Sequence, residues 1–257
     1  MSDPSSPSAD VSAKLDALNA EVTRELAARR KRREEAVPVP TPARRSSTAW
    51  LTMGLTIAAF VVLPFGVLIG GAVWLYRVHA VPTWVALGLS GLLTAALLAL
   101  YGGAISQKLT GQARLRFIFT KLALPVIAFY CAYTLLFLSR VNAKTEAVRE
   151  YYTTVHPLLR VALSTAVLLD RDIVVTDTRR EAADYARMGL PTLDNSLHFP
   201  QRSGYVHAVD LRTIGRAGWQ NLGLVWYFRL LGFKTLRHMG TADHLHVSLA
   251  PPGDKRR

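Results

Sequence analysis

The sequence has one cysteine and contains no acidic residue from Ala36 to Thr145. Cys131 lies inside an apolar segment, which excludes a disulfide framework and a cysteine-based zinc knuckle. Half of the residues are hydrophobic and the mean hydropathy is positive, which is unusual for a soluble enzyme. Together, the missing carboxylates and the apolar composition predict a lipid-embedded centre.

Three apolar stretches occupy this acid-free region, at 49–76, 81–106 and 117–139. Each is longer than the ~20 residues that cross a hydrocarbon core, so we expect three transmembrane helices. The leader before the first stretch is too long for a cleaved signal peptide, so the first stretch should act as an uncleaved anchor. The stretches contain Lys121 but no acidic residue, which argues against a transporter or channel.

The positive charge of the chain indicates its orientation in the membrane. The net charge is +13, and nine of the 31 lysines and arginines fall within residues 1–48. The loop 104–116 carries three more, whereas the loop near 78–82 is flanked by Arg77 alone. By the positive-inside rule, the N terminus is cytoplasmic and the region after the third span lies outside, in the periplasm of a Gram-negative cell. We assign the charge to topology and expect no nucleic-acid partner.

Residues 1–48 form a basic tail that is predicted to be largely disordered, because it can bury little apolar surface. One short amphipathic helix is expected where apolar residues recur at helical spacing, at Val11, Leu15, Leu18 and Val22. This helix is either solvated with weak self-association, or it binds a membrane surface or a coiled-coil partner.

The third region, 141–257, is polar and mixes helical and extended patterns after the spans at 49–140. Helices are predicted at 141–154, 157–169, 181–188 and 219–231, and strands at 173–176, 206–211 and 244–249, with a loop at 195–200. Gly232 is placed as a C-terminal helix cap. Because there is no repeating strand-helix-strand order, we expect an α+β domain with an antiparallel sheet.

Histidines are concentrated near the C terminus. Five of the seven fall in the last 60 residues, close to two aspartates: His198, His207, His238, His244 and His246, with Asp210 and Asp243. A catalytic zinc needs three imidazole or carboxylate ligands, an open position for water and a nearby carboxylate that accepts the proton of that water. This region supplies each of these groups.

Three motifs here follow a recognisable order: Ser196-Leu-His198, then Gly204-Tyr-Val-His-Ala-Val-Asp210, then Asp243-His-Leu-His246. They resemble the peptidase M15 family, which comprises zinc D-alanyl-D-alanine carboxypeptidases and related peptidoglycan peptidases. The pattern of that family is Ser-x-His-x-x-Gly-x-Ala-x-Asp, followed later by Glu or Asp-x-x-His. The similarity covers roughly residues 155–250 and does not extend to the spans.

The resemblance implies a ligand set and a fold. It implies that Zn²⁺ is bound by His198, Asp210 and His246, and that Asp243 is the general base. Arg179 takes the role of an arginine that follows a strand and binds the substrate. The implied fold is that of the Hedgehog and DD-peptidase proteins, in which helices pack on an antiparallel sheet.

The first motif departs from the family in its spacing. The first histidine and aspartate of the family are seven residues apart, whereas His198 and Asp210 are twelve apart. His207 is therefore an alternative first ligand. An extended strand directs residues three apart to opposite faces, and a loop accepts extra residues at little entropic cost. Both arguments favour His198 over His207.

Two functions remain open at this point. The first is a membrane-anchored zinc metallopeptidase that acts on peptidoglycan stem peptides, as a carboxypeptidase of the D-Ala-D-Ala type. The second is a membrane scaffold or sensor whose peptidase-like domain binds cell-wall peptide without cleaving it. The stretched first motif is the main support for the second.

Overall fold

The structure is a computed structural model that describes residues 7–36, 47–187, 189, 196–240 and 243–253. The residues up to Gly54 and those from Leu55 onward form two separate compact units. The parts of the predicted tail at 1–6 and 37–46, Met188 of the predicted third helix and Asn195 of the predicted loop lie outside the described residues.

The first helix, α1 (Pro7–Ala36), is longer than the short amphipathic helix that the sequence predicted. Its described side chains are exposed, including the predicted apolar row. Ion pairs one turn apart support it, between Lys14 and Asp10 at 3.2 Å and between Arg29 and Glu25 at 3.5 Å. Good helix formers such as Ala, Glu, Arg and Lys extend the helix beyond the apolar row.

Three apolar helical spans follow, and they make the chain a membrane protein. The first span (Trp50–His79) comprises most of α2 (Ser47–Phe65), a π-helical turn (Gly66–Gly70) and α3 (Gly71–His79). The second is α4 (Thr83–Thr110). The third (Leu115–Leu136) contains α5 (Leu115–Ile118), a π-helical turn (Phe119–Ala123) and α6 (Leu124–Leu136). The three predicted spans are therefore present, each shifted by a few residues.

Small residues let the spans approach one another closely. Gly91 of α4 faces Leu68 of the first span and Ile127 of α6, and an added methyl group would lie 3.6 Å from the Ile127 side chain. Ala86 and Ala95 of α4 are fully buried. Close approach of this kind strengthens van der Waals contact, which is a main source of helix association in lipid.

The C-terminal region is a four-stranded antiparallel sheet with helices, as predicted in outline. Its elements are α7 (Glu146–Glu150), α8 (Pro157–Leu169), β1 (Val175–Asp177), α9 (Ala182–Arg187), β2 (Ala208–Arg212), α10 (Gly218–Leu230), β3 (Lys234–His238) and β4 (His244–Ser248). Short 3₁₀ turns at Arg140–Asn142 and Tyr151–Thr154 flank α7 where one helical linker was predicted. The strand order is β1-β2-β4-β3.

The two faces of the sheet have different environments. Apolar side chains of β2 and β4 point into the hydrophobic core: Val209, Leu211, Leu245 and Val247. Asp210 and His246 are direct register partners on neighbouring strands, and they lie on the opposite face because successive side chains alternate. We call this second face the metal face. Leu236 of β3 is the register partner of His246 and belongs to the same face.

The sheet domain is packed directly on the spans. Helix α8 is buried along most of its length, and its Arg160 donates a 2.7 Å hydrogen bond from Nη1 to the carbonyl of Leu135 in α6. Tyr152 donates from its hydroxyl to the carbonyl of Thr134, also in α6, at 2.7 Å. These bonds satisfy carbonyls at the end of the third span, so span and domain share one core.

Candidate metal centre

Three side chains on the metal face bring potential metal-ligand atoms together. His198 Nε2 lies 3.4 Å from Asp210 Oδ1 and 3.3 Å from His246 Nδ1, and His246 Nδ1 lies 2.8 Å from Asp210 Oδ1. Tetrahedral ligands at about 2.0–2.2 Å from a zinc ion are separated by roughly 3.3–3.6 Å. Two of the three distances match this spacing, and the third is a hydrogen bond. The cluster can therefore hold a metal ion.

The loop before β2 carries His198 to this position. The backbone amide of Arg180 donates to the carbonyl of His198 at 3.1 Å, and the amide of His207 donates to the carbonyl of Leu197 at 2.9 Å. Ser196 adds a local anchor, because its Oγ accepts hydrogen bonds from the Tyr185 hydroxyl at 2.8 Å and from the His198 amide at 3.3 Å. The loop is thus held from both sides.

The additional residues between the first two motifs form a compact turn. The amide of Gln201 donates to the carbonyl of Tyr205 at 2.9 Å, and the amide of Gly204 donates to the carbonyl of Gln201 at 2.8 Å. Gly204 has a φ of 78°, a left-handed conformation that glycine adopts without strain. The turn satisfies its own backbone, so the longer spacing is compatible with His198 lying beside Asp210.

Two further contacts orient the ligand groups. His198 Nδ1 lies 2.6 Å from the carbonyl of Thr178, which places a proton on Nδ1 and leaves Nε2 available to a metal. Arg180 donates from Nη2 to Asp210 Oδ2 at 2.8 Å and from Nε to Asp177 Oδ2 at 2.5 Å. Arg180 therefore fixes the carboxylate of Asp210 through Oδ2, whereas His198 and His246 contact Oδ1. No sequence motif indicated this role for Arg180.

Asp210 is poised as an anionic ligand. Its burial raises the pKa, but the hydrogen bonds and charges of His198 and His246 outweigh burial and hold the pKa well below the usual range. The carboxylate is thus ionised at neutral pH. Because metal binding displaces the proton on His246 Nδ1 that now bonds to Asp210, affinity for a metal should fall as the pH falls.

Asp243 lies at the edge of this region and is engaged elsewhere. Its carboxylate accepts hydrogen bonds from Arg237 at 2.9 and 3.2 Å and from the Thr213 hydroxyl at 2.5 Å. These hydrogen bonds lower the pKa of Asp243 to about 2. The structure thus brings the three predicted ligands together and leaves the predicted base in a separate ion pair with Arg237.

Arg179 lines an open groove of about 480 Å³, and Arg180 lines the same groove. The guanidinium of Arg179 lies 5.5 Å from the centre of the Tyr151 ring, and its Nη2 is 3.4 Å from Glu181 Oε1. Its Nε is buried and has no hydrogen-bond partner among the described residues.

His207 lies away from the metal face. Its Nδ1 is 3.2 Å from the carbonyl of Leu249 and its Nε2 is 2.8 Å from Ser203 Oγ. Its ring packs 4.7 Å from that of His156, which bonds to Thr83 at the start of the second span at 3.0 Å. Burial lowers the pKa of His207 to about 4 and that of His156 to about 2, so both are neutral.

His244 and His238 lie beside the three-residue cluster. His244 is two residues from His246 on the same strand face, and its Nε2 is 3.7 Å from Asp210 Oδ2. The rings of His244 and His238 stack with centres 4.7 Å apart. The histidine-rich sequence therefore forms a continuous imidazole surface on β3 and β4 around Asp210.

Comparisons of the chain with protein-family models, curated proteins and solved structures found no match.

Proposed function

We propose that the chain is a membrane-anchored zinc metallopeptidase of the M15 type that acts on peptidoglycan stem peptides, as a carboxypeptidase of the D-Ala-D-Ala type. The observation that carries this proposal is the close approach of His198 Nε2, Asp210 Oδ1 and His246 Nδ1. Two imidazoles and one carboxylate form a set that is common in catalytic zinc sites, where a fourth position stays open for water. The proposed domain fold is that of the Hedgehog and DD-peptidase proteins.

A bound zinc would lower the pKa of a water molecule at the site to near neutrality and polarise the substrate carbonyl. The residues of the chain provide the remaining functions. His198 is held in the required tautomer by the carbonyl of Thr178, and Asp210 is held by Arg180. Both contacts arrange the site before substrate arrives, which reduces the reorganisation needed during the reaction.

Arg179 is proposed to bind the terminal carboxylate of the stem peptide. Its guanidinium lines the groove, and its side chain is one-third exposed there with Nη2 beside Glu181. Paired hydrogen bonds from one guanidinium fix both the position and the orientation of a carboxylate. Arg180 lines the same groove and bonds to Asp210, so one side chain connects the groove to the ligand cluster.

Asp243 is proposed to accept a proton during attack and return it to the leaving amine. It performs this role only if one of its oxygens leaves the ion pair with Arg237, because that pair lowers its pKa to about 2. A carboxylate with so low a pKa is a weak base. Substrate binding on the metal face would need to separate Asp243 from Arg237.

The proposed location is the bacterial inner membrane with the sheet domain in the periplasm. The basic tail and the basic loop after α4 fall on one side of the membrane, and the sparsely charged loop at 80–82 falls on the other. With three spans, the domain after α6 is on the side opposite the tail. Peptidoglycan is found on that side.

A second function is favoured by the state of Asp243. A peptidase-like domain in which the base is held by an arginine can bind a cell-wall peptide without cleaving it, as a scaffold or sensor. The ion pair between Asp243 and Arg237 is the observation that supports this alternative.

One experiment separates the two functions. The full chain is purified in detergent, because the sheet domain shares its core with the spans. Its zinc content is measured, and it is incubated with muropeptides that are analysed by mass spectrometry. About one zinc per chain and the loss of a terminal alanine support the peptidase, and His246→Ala should abolish both. Peptide binding without any mass change would instead establish the binding module.

A further inference from the structure

Helix α10 presents an apolar face to its surroundings. Trp219, Leu222, Trp226 and Leu230 repeat at helical spacing, and each is between 54% and 80% exposed. The opposite side of α10 is buried through Asn221, Leu224 and Phe228. On a helix in water the outward side carries the polar residues, whereas the outward side of α10 is apolar. We call the four exposed residues the α10 apolar face.

The C-terminal end of α10 packs against the membrane-spanning part of the chain. Leu231, directly after α10, packs against Gly70 of the first span, where an added methyl group would lie 3.8 Å from the leucine side chain. Gly70 lies roughly 13 Å before the end of that span at His79, at about 1.5 Å per helical residue. The C-terminal end of α10 therefore lies beside a segment that spans the hydrocarbon region.

A glycine makes this contact possible. Gly232 has a φ of 93°, and a Cβ at this position would lie 2.9 Å from a methyl group of Val73. The carbonyl of Gly232 accepts a hydrogen bond from Arg77, near the end of the first span. The turn after α10 is thus fixed against the span, and the helix cannot swing away without breaking this contact.

The chemistry of α10 suits a lipid surface. The helix contains no acidic residue, and its only charged residue, Arg229, borders the apolar face and donates to Thr235 at 2.7 Å. Two tryptophans with exposed rings are typical of segments at the boundary between headgroups and acyl chains.

We propose that α10 is a membrane-contact helix, with Trp219, Leu222, Trp226 and Leu230 embedded among the lipids of the leaflet on the side of the sheet domain. The sheet domain is then partly immersed in the bilayer as well as tethered to it. The occupant of the α10 apolar face is the lipid bilayer, because the C-terminal end of α10 is fixed against the first span at the depth of the hydrocarbon region. This inference does not depend on the presence of zinc or on peptidase activity.

Spin labels test the proposal on the full chain. Cys131 is replaced by Ser, and single cysteines are introduced by Leu222→Cys and by Leu236→Cys as the matched control. Both leucines are 57% exposed, but Leu236 lies on the metal face. The labelled proteins are reconstituted in nanodiscs with one chain per disc, and power saturation compares collisions with oxygen and with a water-soluble nickel chelate. We expect position 222 to favour oxygen by at least several-fold and position 236 to favour nickel.

Two results would overturn the proposal. The first is equal access of nickel to the two positions in single-chain discs. The second is shielding of position 222 only in discs that hold several chains, which would assign the face to a second copy of the protein. A measurement without spin labels tests the proposal even where a cysteine variant misfolds. Lipids brominated on their acyl chains should quench the fluorescence contributed by Trp226, taken as the difference between the spectra of the wild type and Trp226→Phe, and an unquenched difference would also contradict the proposal.

Discussion

The pair of neighbouring arginines at 179 and 180 provides the sharpest test of the site. Arg180 bonds to Asp210, whereas Arg179 points into the groove and pairs with Glu181. We predict that Arg180→Gln weakens zinc binding and that Arg179→Gln leaves zinc binding unchanged while raising the KM for peptide. The two variants remove the same charge at adjacent positions, so each is the control for the other.

The expected magnitude follows from the environment of Asp210. Its carboxylate is 4% exposed and accepts one of its hydrogen bonds from Arg180. A hydrogen bond to a charged group contributes about 1.5–3 kcal/mol, and loss of a residue that orients a metal ligand weakens binding about 10- to 100-fold. The guanidinium also repels a divalent cation, so its removal offsets part of this loss. We therefore expect a net weakening of about 10-fold, at the lower end of the range.

Competition with a chromophoric zinc chelator measures this change directly in detergent-solubilised full chain. Tighter zinc binding in Arg180→Gln would mean that charge repulsion exceeds orientation, and would remove the proposed role of Arg180. Weaker binding in Arg179→Gln together with unchanged binding in Arg180→Gln would show that the two side chains are exchanged relative to the structure.

Four further predictions concern other parts of the molecule. His198→Ala should release the metal and His207→Ala should retain it, as measured by zinc content, and the reverse result would establish His207 as the first ligand. Asp243→Asn should keep zinc but reduce turnover by roughly 10²- to 10⁴-fold, and unchanged turnover would place the base elsewhere. A C-terminal alkaline phosphatase fusion should be active, and a cytosolic fluorescent reporter at the same point should be dark. The opposite pattern would refute both the topology and the substrate class. Finally, burial lowers the pKa values of His156 and His207 to about 2 and about 4, so both are neutral in the fold and charged in the unfolded chain below about pH 6.5. The free energy of unfolding should thus be highest above that pH and should decrease on acidification, by up to about 1.4 kcal/mol for each histidine and each pH unit. Thermal unfolding in detergent would detect this decrease as a falling midpoint temperature. His156→Gln should reduce this pH dependence by about half.

The accuracy of the sequence predictions depended on how local the determining forces were. Helix α8 begins and ends where the sequence predicted, at Pro157 and Leu169, because its proline and its apolar run are local signals. Strand β3 was not predicted. It is an edge strand with the sequence Lys-Thr-Leu-Arg-His, and three of its five residues are exposed, so it lacks the apolar alternation of a half-buried strand. Only its pairing with β4 makes it a strand.

The candidate site likewise combines features that the sequence predicted with features that it did not. The three ligands were identified because their order resembles a known motif, and the register of β2 against β4 then places Asp210 beside His246. The sequence predicted Arg179 as the substrate arginine and gave no role to Arg180, because only the folded structure places Arg180 beside Asp210. The ion pair of Asp243 with Arg237 joins residues on either side of the segment that links β3 to β4. No sequence pattern indicated that the carboxylate of Asp243 is paired and not free.

The packing of α8 and α10 also bears on which substrates the site can reach. Val209 and Leu211 of β2 face the core that is shared with the spans, whereas Asp210 between them faces the other way. A metal bound at Asp210 is therefore separated from that core by the sheet itself. If α10 lies in the bilayer, the metal face opens toward water at a fixed and short distance above the lipid, since packed layers are spaced about 10 Å apart. Such a site would act on peptide that approaches the membrane surface from the aqueous side, and a substrate buried among acyl chains would be on the wrong face of the sheet.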